Sequence, residues 1–199
     1  MIAAVAAVAR GTGRATVAAA LVALTAFGTV ACSPTFDWRT VRPEGTAVES
    51  LWPCRPAVER RNVPLAGAER PMALHACATG GVRFALAVVS VDDAAQVEGV
   101  ARALRRATVV NLAAAGPAPS DATSASAPPV ARPWSVRGST PNAASDRVDV
   151  RGRGADGRPI AAELGTFVNG TTVLQAIAVG ETVPPDVAET FLAAFAVAP

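Results

Sequence analysis

Three strand-like segments near the C-terminal end constrain the fold more than any other part of the chain. Residues 147–151 (RVDVR) alternate polar and apolar side chains, which is the pattern of a strand with one buried face. Two further extended segments follow at 159–168 and 171–179, and Asn169-Gly170 separates them. Because Asn-Gly between apolar segments is a strong signal for a tight hairpin, we predict a three-stranded antiparallel meander here.

The middle of the chain predicts additional strands. The extended segments are 47–55, 61–65, 72–77 and 82–91, with turns at 66–68 and at Gly80-Gly81. Pro53 and Pro56 bend the chain after the first segment, which favours an edge position. The valine-rich segment 82–91 is typical of a central buried strand. If the first segment pairs antiparallel with the region 61–77, Cys54 and Cys77 can meet.

Two segments have the pattern of helices packed against a sheet. The first starts at Asp93, whose spacing to Gln96 has capping-box character. Its apolar stripe is Val97, Val100, Ala101, Leu104, Thr108 and Leu112, and its expected solvent side is Glu98, Arg102, Arg105 and Arg106. The second opens with Pro184-Pro185-Asp186 and carries Val187, Phe191 and Phe195 in one stripe. We therefore predict an α+β fold, an antiparallel sheet flanked by two main helices.

The N-terminal segment has the features of an export signal. A basic region ends at Arg14, and an apolar stretch runs from Ala15 to Val30 without proline or acidic residues. The sequence FGTVAC, which ends at Cys32, looks like the lipobox of bacterial lipoproteins, although Thr29 departs from the usual leucine-like residue. We expect cleavage before Cys32 and lipid attachment to its side chain. The alternatives are ordinary cleavage that releases a periplasmic protein, or an uncleaved anchor helix.

The remaining cysteines form an even pair. If Cys32 carries lipid, Cys54 and Cys77 are left in an oxidising compartment, which favours a disulfide bond. On the chain-entropy account such a bond stabilises the fold by about 3 kcal/mol. The alternative is two buried free thiols. Neither cysteine lies in a CxxC motif, so a redox-catalytic role is not indicated.

The predicted organisation is a signal peptide (1–31), a tether (32–46) and one α+β domain (47–199) that contains a flexible Pro/Ala/Ser loop at 115–133. The chain has 18 basic and 16 acidic residues, and the leader holds two of the basic ones, Arg10 and Arg14. The mature chain is therefore neutral. Nucleic-acid binding needs a clustered basic excess, so we exclude it.

No motif predicts catalysis, a metal or a cofactor. The segment 152–157 (GRGADG) fits the G-x-G-x-x-G dinucleotide pattern by letter, but Arg158-Pro159 leads into a strand instead of a helix, so we interpret it as a hairpin turn. His75, the single histidine, is expected to be a partly exposed strand residue. Helix capping explains Asp92 and Asp93 better than a carboxylate pair does.

Three tryptophans are the candidate interface residues, because tryptophan is enriched in protein interfaces and apolar ligand sites. They are Trp38, Trp52 and Trp134. Packing in the core is the alternative for each of them, most of all for Trp52.

The order of elements resembles the PsbP-like α/β/α sandwich and the small proteobacterial lipoproteins of unknown function that share this layout. The segments that carry the resemblance are SPTFDWR after the lipobox, LWPCRP at 51–56, VPLAG at 63–67 and AETFLAAF at 188–195. The resemblance implies an accessory or assembly role. Ser33 beside the anchor also resembles lipoproteins that are sorted to the outer membrane.

Together these features predict a non-enzymatic envelope lipoprotein that faces the periplasm. Its lipid anchor would hold it to a membrane, the outer one in preference to the inner, and its folded domain would bind an envelope protein partner. The alternative is a carrier that holds a small apolar ligand or lipid in a groove between sheet and helix.

Overall fold

The computed structural model describes residues 34–114, 130–154 and 156–198. It confirms the C-terminal meander, which comprises β7 (Asp146–Arg153), β8 (Pro159–Asn169) and β9 (Thr172–Gly180). The turn between β8 and β9 lies one residue later than predicted. Gly170 and Thr171 form it, and only Gly170 has a positive φ, +57°. Glycine at the first position of a two-residue loop is the arrangement of a type II′ turn, so Asn169 stays in β8.

The meander continues into a seven-stranded antiparallel sheet with the order β3-β4-β5-β9-β8-β7-β6. Its other strands are β3 (Ala57–Leu65), β4 (Ala68–Thr79), β5 (Val82–Ser90) and β6 (Ala131–Pro133). The pairing of β5 with β9 joins the first half of the chain to the second. The fold class, α+β with antiparallel sheet and two helices, is therefore confirmed.

A second, smaller antiparallel sheet was not predicted. It has the order β1-β2-β10 and consists of β1 (Arg39–Val41), β2 (Val48–Trp52) and β10 (Ala196–Val197). Residues assigned to the tether thus form β1, and the compact unit already begins at Thr35. The segment 47–55 pairs within this small sheet, so the pairing with the region 61–77 that was considered from the sequence does not form.

Helix α1 (Val97–Ala114) follows a short 3₁₀ turn, Ala94–Gln96. The Asp93 carboxylate caps this turn by accepting a hydrogen bond from the Ala95 backbone N–H at 2.9 Å. The side chain of Gln96 donates to the Asp93 carboxylate at 3.5 Å instead of returning to its backbone, so the capping box is incomplete. Helix α2 (Pro185–Ala193) starts with proline at its first position, as predicted.

The two helices pack on opposite faces of the main sheet, and β5 shows this clearly. Its residues Phe84 and Leu86 belong to one apolar cluster with Phe191 of α2, whereas Val89 belongs to another with Val100 of α1. Alternation along a strand places neighbouring side chains on opposite faces. None of the helices in the described ranges is both long enough and apolar enough to span a bilayer.

Three local predictions need correction. Arg105, expected on the solvent side of α1, is only 28% exposed because it pairs with Asp146 of β7. His75 is buried and not partly exposed, since it lies on the α2 face of β4. The predicted flexible loop 115–133 ends in a strand, β6, which pairs with β7. Residues 115–129 lie outside the described residues.

Candidate interaction site around Trp134 and Arg147

The three tryptophans occupy different environments. Trp52 is fully buried and packs edge-on against Phe191 at a ring-centroid distance of 5.3 Å, so the folded domain does not offer it to a partner. Trp38 is half-buried and packs against Phe36 and Phe84. Trp134 is also half-buried, and it lies beside charged residues of the main sheet.

Trp134 lies against the backbone of β8 at Gly165. A Cβ atom at position 165 would come within 2.3 Å of the Trp134 ring, closer than atoms can approach. The absence of a side chain at Gly165 therefore makes room for the ring. Phe167 and Phe195 hold the ring from the sides, at centroid distances of 5.4 and 6.3 Å.

Arg147 lies over the indole ring of Trp134. Its guanidinium carbon is 5.6 Å from the centroid of the Trp134 ring, a cation–π arrangement. The Arg147 Nη1 donates to the Glu189 carboxylate of α2 at 2.8 Å, and its Nε lies 3.5 Å from the Glu163 carboxylate of β8. Arg147 thus connects three elements, the strands β7 and β8 and the helix α2.

Arg132 of β6 extends the network. Its guanidinium binds Asp149 at 3.0 Å and approaches Glu163 at 3.7 Å. Two guanidinium groups and three carboxylates therefore meet on this face of the sheet.

The centre of the network is poorly solvated. The side chains of Arg147 and Glu163 are 14% and 17% exposed, and the Arg147 Nε and Nη2 have no hydrogen-bond acceptor in the described residues. Burial raises the pKa of Glu163, and the nearby Asp149 and Glu189 raise it further, against the opposing effect of Arg147 and Arg132. Partly buried charges with unsatisfied donors are costly unless further groups pair with them.

Two surface grooves border the network. The first, here called the Glu163 groove, has a volume of about 510 Å³ and runs between β7, β8 and α2; it is lined by Arg132, Asp149, Arg151, Glu163, Pro185 and Glu189. The second, the Trp134 groove, has a volume of about 600 Å³ and is lined by Leu51, Trp134, Arg137, Arg147, Glu189 and Phe195. Glu189 borders both. Each groove combines charged and apolar walls, which suits hydrogen bonding and packing with a polypeptide.

The cysteine pair lies elsewhere on the same face of the sheet. The Sγ atoms of Cys54 and Cys77 are 2.06 Å apart, so these residues lie at disulfide distance, as predicted. The bond links the bend after β2 to β4 and fixes the small sheet on the large one. Cys32, the predicted lipidation site, lies outside the described residues.

His75 lies two residues before Cys77 in β4 and is 2% exposed. Burial lowers the pKa of His75, Arg60 lowers it further, and Glu44 acts in the opposite direction. Its Nε2 has no hydrogen-bond partner among the described residues.

The glycine-rich segment 152–157 joins β7 to β8, so the hairpin interpretation is confirmed and no helix follows the glycines. In the described ranges, no cluster of histidine, cysteine, aspartate or glutamate has the arrangement of a metal site.

Sequence reasoning identified Trp134 but not Arg147, Glu163, Gly165 or Glu189. The one local signal was a glutamate and a glycine inside the mostly apolar segment IAAELGTFV (160–168). The contacts themselves join β6, β7, β8 and α2, and no short sequence pattern encodes such an arrangement. No family model matches the chain, and comparison with curated proteins gave no match.

Proposed function

We propose that this chain is a non-enzymatic, periplasm-facing lipoprotein of the bacterial envelope, and that its folded domain binds an envelope protein through the two grooves around Arg147. The observation that carries the proposal is the contact of the half-buried Trp134 with the largely buried Arg147 at the border of an open groove. Tryptophan and arginine are among the residues most enriched in energetically dominant interface contacts. Arg147 lines the Trp134 groove, where its positive charge favours the carbonyl or carboxylate oxygens of a partner.

The anchor in this proposal is lipid on Cys32, with the outer membrane favoured by Ser33. The Cys54–Cys77 pair at disulfide distance supports export to an oxidising compartment. We also propose that the layered arrangement belongs to the PsbP-like α/β/α sandwiches, which is supported by the position of α1 and α2 on opposite faces of the sheet.

The alternative, a carrier of a small apolar ligand, requires an apolar space between the sheet and a helix. On the α2 side, aromatic side chains fill that space; they are Trp52, Phe84, Phe167, Phe191 and Phe195. All five are buried and in mutual contact in pairs. This packing leaves no room for an apolar ligand between α2 and the sheet.

The test of the partner is photocrosslinking in living cells. A photoreactive amino acid replaces Arg137 in the Trp134 groove or Arg151 in the Glu163 groove, and a matched control replaces the exposed Arg83 of β5. We expect one defined protein adduct from the two groove positions and none from position 83. Equal adducts at all three positions, or none at either groove, would contradict the proposal.

The test of the anchor is labelling with an alkyne-bearing fatty acid. We expect label on the native chain and none on Cys32→Ala. Loss of the crosslink in Cys32→Ala, with the domain still folded, would show that the tether brings the domain to its partner. An unlabelled native chain would contradict the lipoprotein assignment.

A further inference from the structure

The opposite face of the main sheet carries a second feature, a cleft between α1 and the strands β6 and β7. Its volume is about 590 Å³, within the range of about 300–1,000 Å³ that small-ligand sites occupy. One wall consists of Arg102, Arg105 and Arg106 of α1. We call it the arginine cleft. It lies on the α1 side of the sheet, away from Arg147 and from both grooves described above.

The cationic wall is held in place by a buried acid. Arg105 forms an ion pair with Asp146, and the side chains are 28% and 10% exposed. This contact fixes the guanidinium of Arg105 at the side of the cleft. Arg102 pairs with Glu98 along the exposed surface of the helix, a contact that restrains it only weakly. Arg106 is exposed, and no ion pair is found for it within the described residues. An anion in the cleft can therefore bind Arg106 without displacing an existing partner.

The floor of the cleft carries an unsatisfied acceptor. The Oδ2 of Asp146 contacts Arg105, whereas its Oδ1 is buried and has no hydrogen-bond donor among the described residues. A carboxylate oxygen accepts hydrogen bonds and donates none. Side chains cover Oδ1 in this structure, so a ligand reaches it only when they shift. Such a ligand must bring a donor, such as a hydroxyl group, along with the negative charge that the arginines favour.

The remaining wall is apolar. Val109, Val110, Ala131 and Val148 line it, and Val110 is 54% exposed. This surface suits a short aliphatic group next to the charged end of a ligand.

We propose that the arginine cleft binds a polyol phosphate ester, the chemistry shared by a free glycerol or sugar phosphate and by the headgroup of an anionic lipid. The phosphate would lie against Arg106 and Arg105, because guanidinium groups match phosphate oxygens in charge and geometry. A hydroxyl group donates to the Asp146 Oδ1, and an attached aliphatic chain lies along Val109 and Val110.

Calorimetric titration tests this on the full mature protein in micelles of a neutral maltoside detergent. The three probes are glycerol 1-phosphate, dihexanoyl-phosphatidylglycerol and dihexanoyl-phosphatidylcholine, whose headgroup has no hydroxyl and no net charge. We expect the first two to bind and the third to bind at least about tenfold more weakly, because the loss of a charge-assisted contact costs about that factor. If phosphatidylglycerol binds more tightly than glycerol 1-phosphate, the ligand is a lipid. If the two affinities are equal, the ligand is the free phosphate ester.

Two variants locate the site. Arg106→Ala should lower the affinity for phosphatidylglycerol at least about tenfold. Arg55→Ala, which removes an exposed arginine beside Cys54 on the other face of the sheet, should leave it unchanged. Melting curves followed by circular dichroism establish that both variants are folded. Equal affinity of the two variants, equal binding of phosphatidylcholine, or no binding of any probe would overturn the proposal.

Discussion

At the scale of single residues, the most demanding position is Gly165. The Trp134 ring occupies the space where a side chain would stand, 2.3 Å from an ideal Cβ. The ring in turn supports Arg147, so the candidate interaction site depends on a residue that has no functional group of its own. A glycine in the middle of a strand costs conformational entropy, and here the close approach of an aromatic ring accounts for it.

We predict that Gly165→Ala lowers the free energy of unfolding by about 1–3 kcal/mol, the usual cost of overpacking. The matched control is Gly99→Ala in α1, where nothing lies within 4 Å of the new Cβ. That change should stabilise the protein by about 1 kcal/mol through helix propensity. Urea denaturation of both variants measures the effect. In a Trp134→Ala background the cost of Gly165→Ala should shrink, and an undiminished cost would contradict the contact.

The second residue-scale prediction concerns His75 and pH. Because burial lowers its pKa below the ordinary 6.5 in the folded state, the unfolded chain binds the proton more readily. The contribution of His75 to stability is therefore complete above pH 6.5 and is lost as the pH falls through 6.5 toward the lower folded value.

The measurement is urea denaturation of the native chain and of His75→Leu between about pH 5.5 and 7.5, where histidine titrates. The difference in unfolding free energy between the two proteins should change by up to about 1.4 kcal/mol per pH unit. Parallel pH profiles would contradict the assignment. The raised pKa of Glu163 acts in both proteins and cancels in this difference.

At the scale of elements, the β3–β4 hairpin has the most unusual turn. Ala66 and Gly67 form its two-residue loop, and both have positive φ, +51° and +80°. This is the arrangement of a type I′ turn, for which Asn-Gly is preferred. Ala66 is the single residue other than glycine with a positive φ in the described ranges. The turn at 66–68 could be predicted from the sequence, but its strained alanine could not, because alanine carries no turn signal.

We predict that Ala66→Asn raises the free energy of unfolding by about 1 kcal/mol, since asparagine tolerates the left-handed conformation that costs alanine about 1–2 kcal/mol. Ala66→Val, a β-branched residue with a greater cost there, should lower it. Thermal melts of the two variants against the native chain provide the check. Stabilisation by valine, or a loss with asparagine, would exclude this turn geometry.

At the scale of the whole molecule, local patterns were predicted well and distant pairings were not. The alternating residues of β7 and the glycine turn before β9 lie within a few residues of each other, so the meander could be predicted. The small sheet joins β1 and β2 to β10 across the length of the chain, and its strands are short. The predicted segment 61–65 missed the first half of β3, residues 57–60, where the charged side chains of Glu59 and Arg60 are exposed. The site around Arg147 depends on four elements brought together by that topology.

The Cys54–Cys77 bond stabilises the whole molecule, because it links the small sheet to the large one. We predict that Cys54→Ala/Cys77→Ala lowers the unfolding free energy by about 3 kcal/mol. Dithiothreitol should lower the stability of the native chain by a similar amount and leave the double variant unchanged. This role would be contradicted if dithiothreitol left the unfolding free energy of the native chain unchanged and the double variant had the same unfolding free energy as the native chain.

The position of β10 has a consequence for the order in which the chain is made. The Val197 N–H donates to the Arg137 carbonyl, and the Ala198 N–H donates to the Ala47 carbonyl. The last described residues therefore lie between β2 and the segment at Arg137 and bond to both. A ribosome delivers these residues after the other strands of the described ranges. A chain cut short before Ala196 would leave β2 without one neighbour and expose the apolar layer beneath it. Closure of the small sheet over the core therefore depends on residues that are synthesised after β9 and α2.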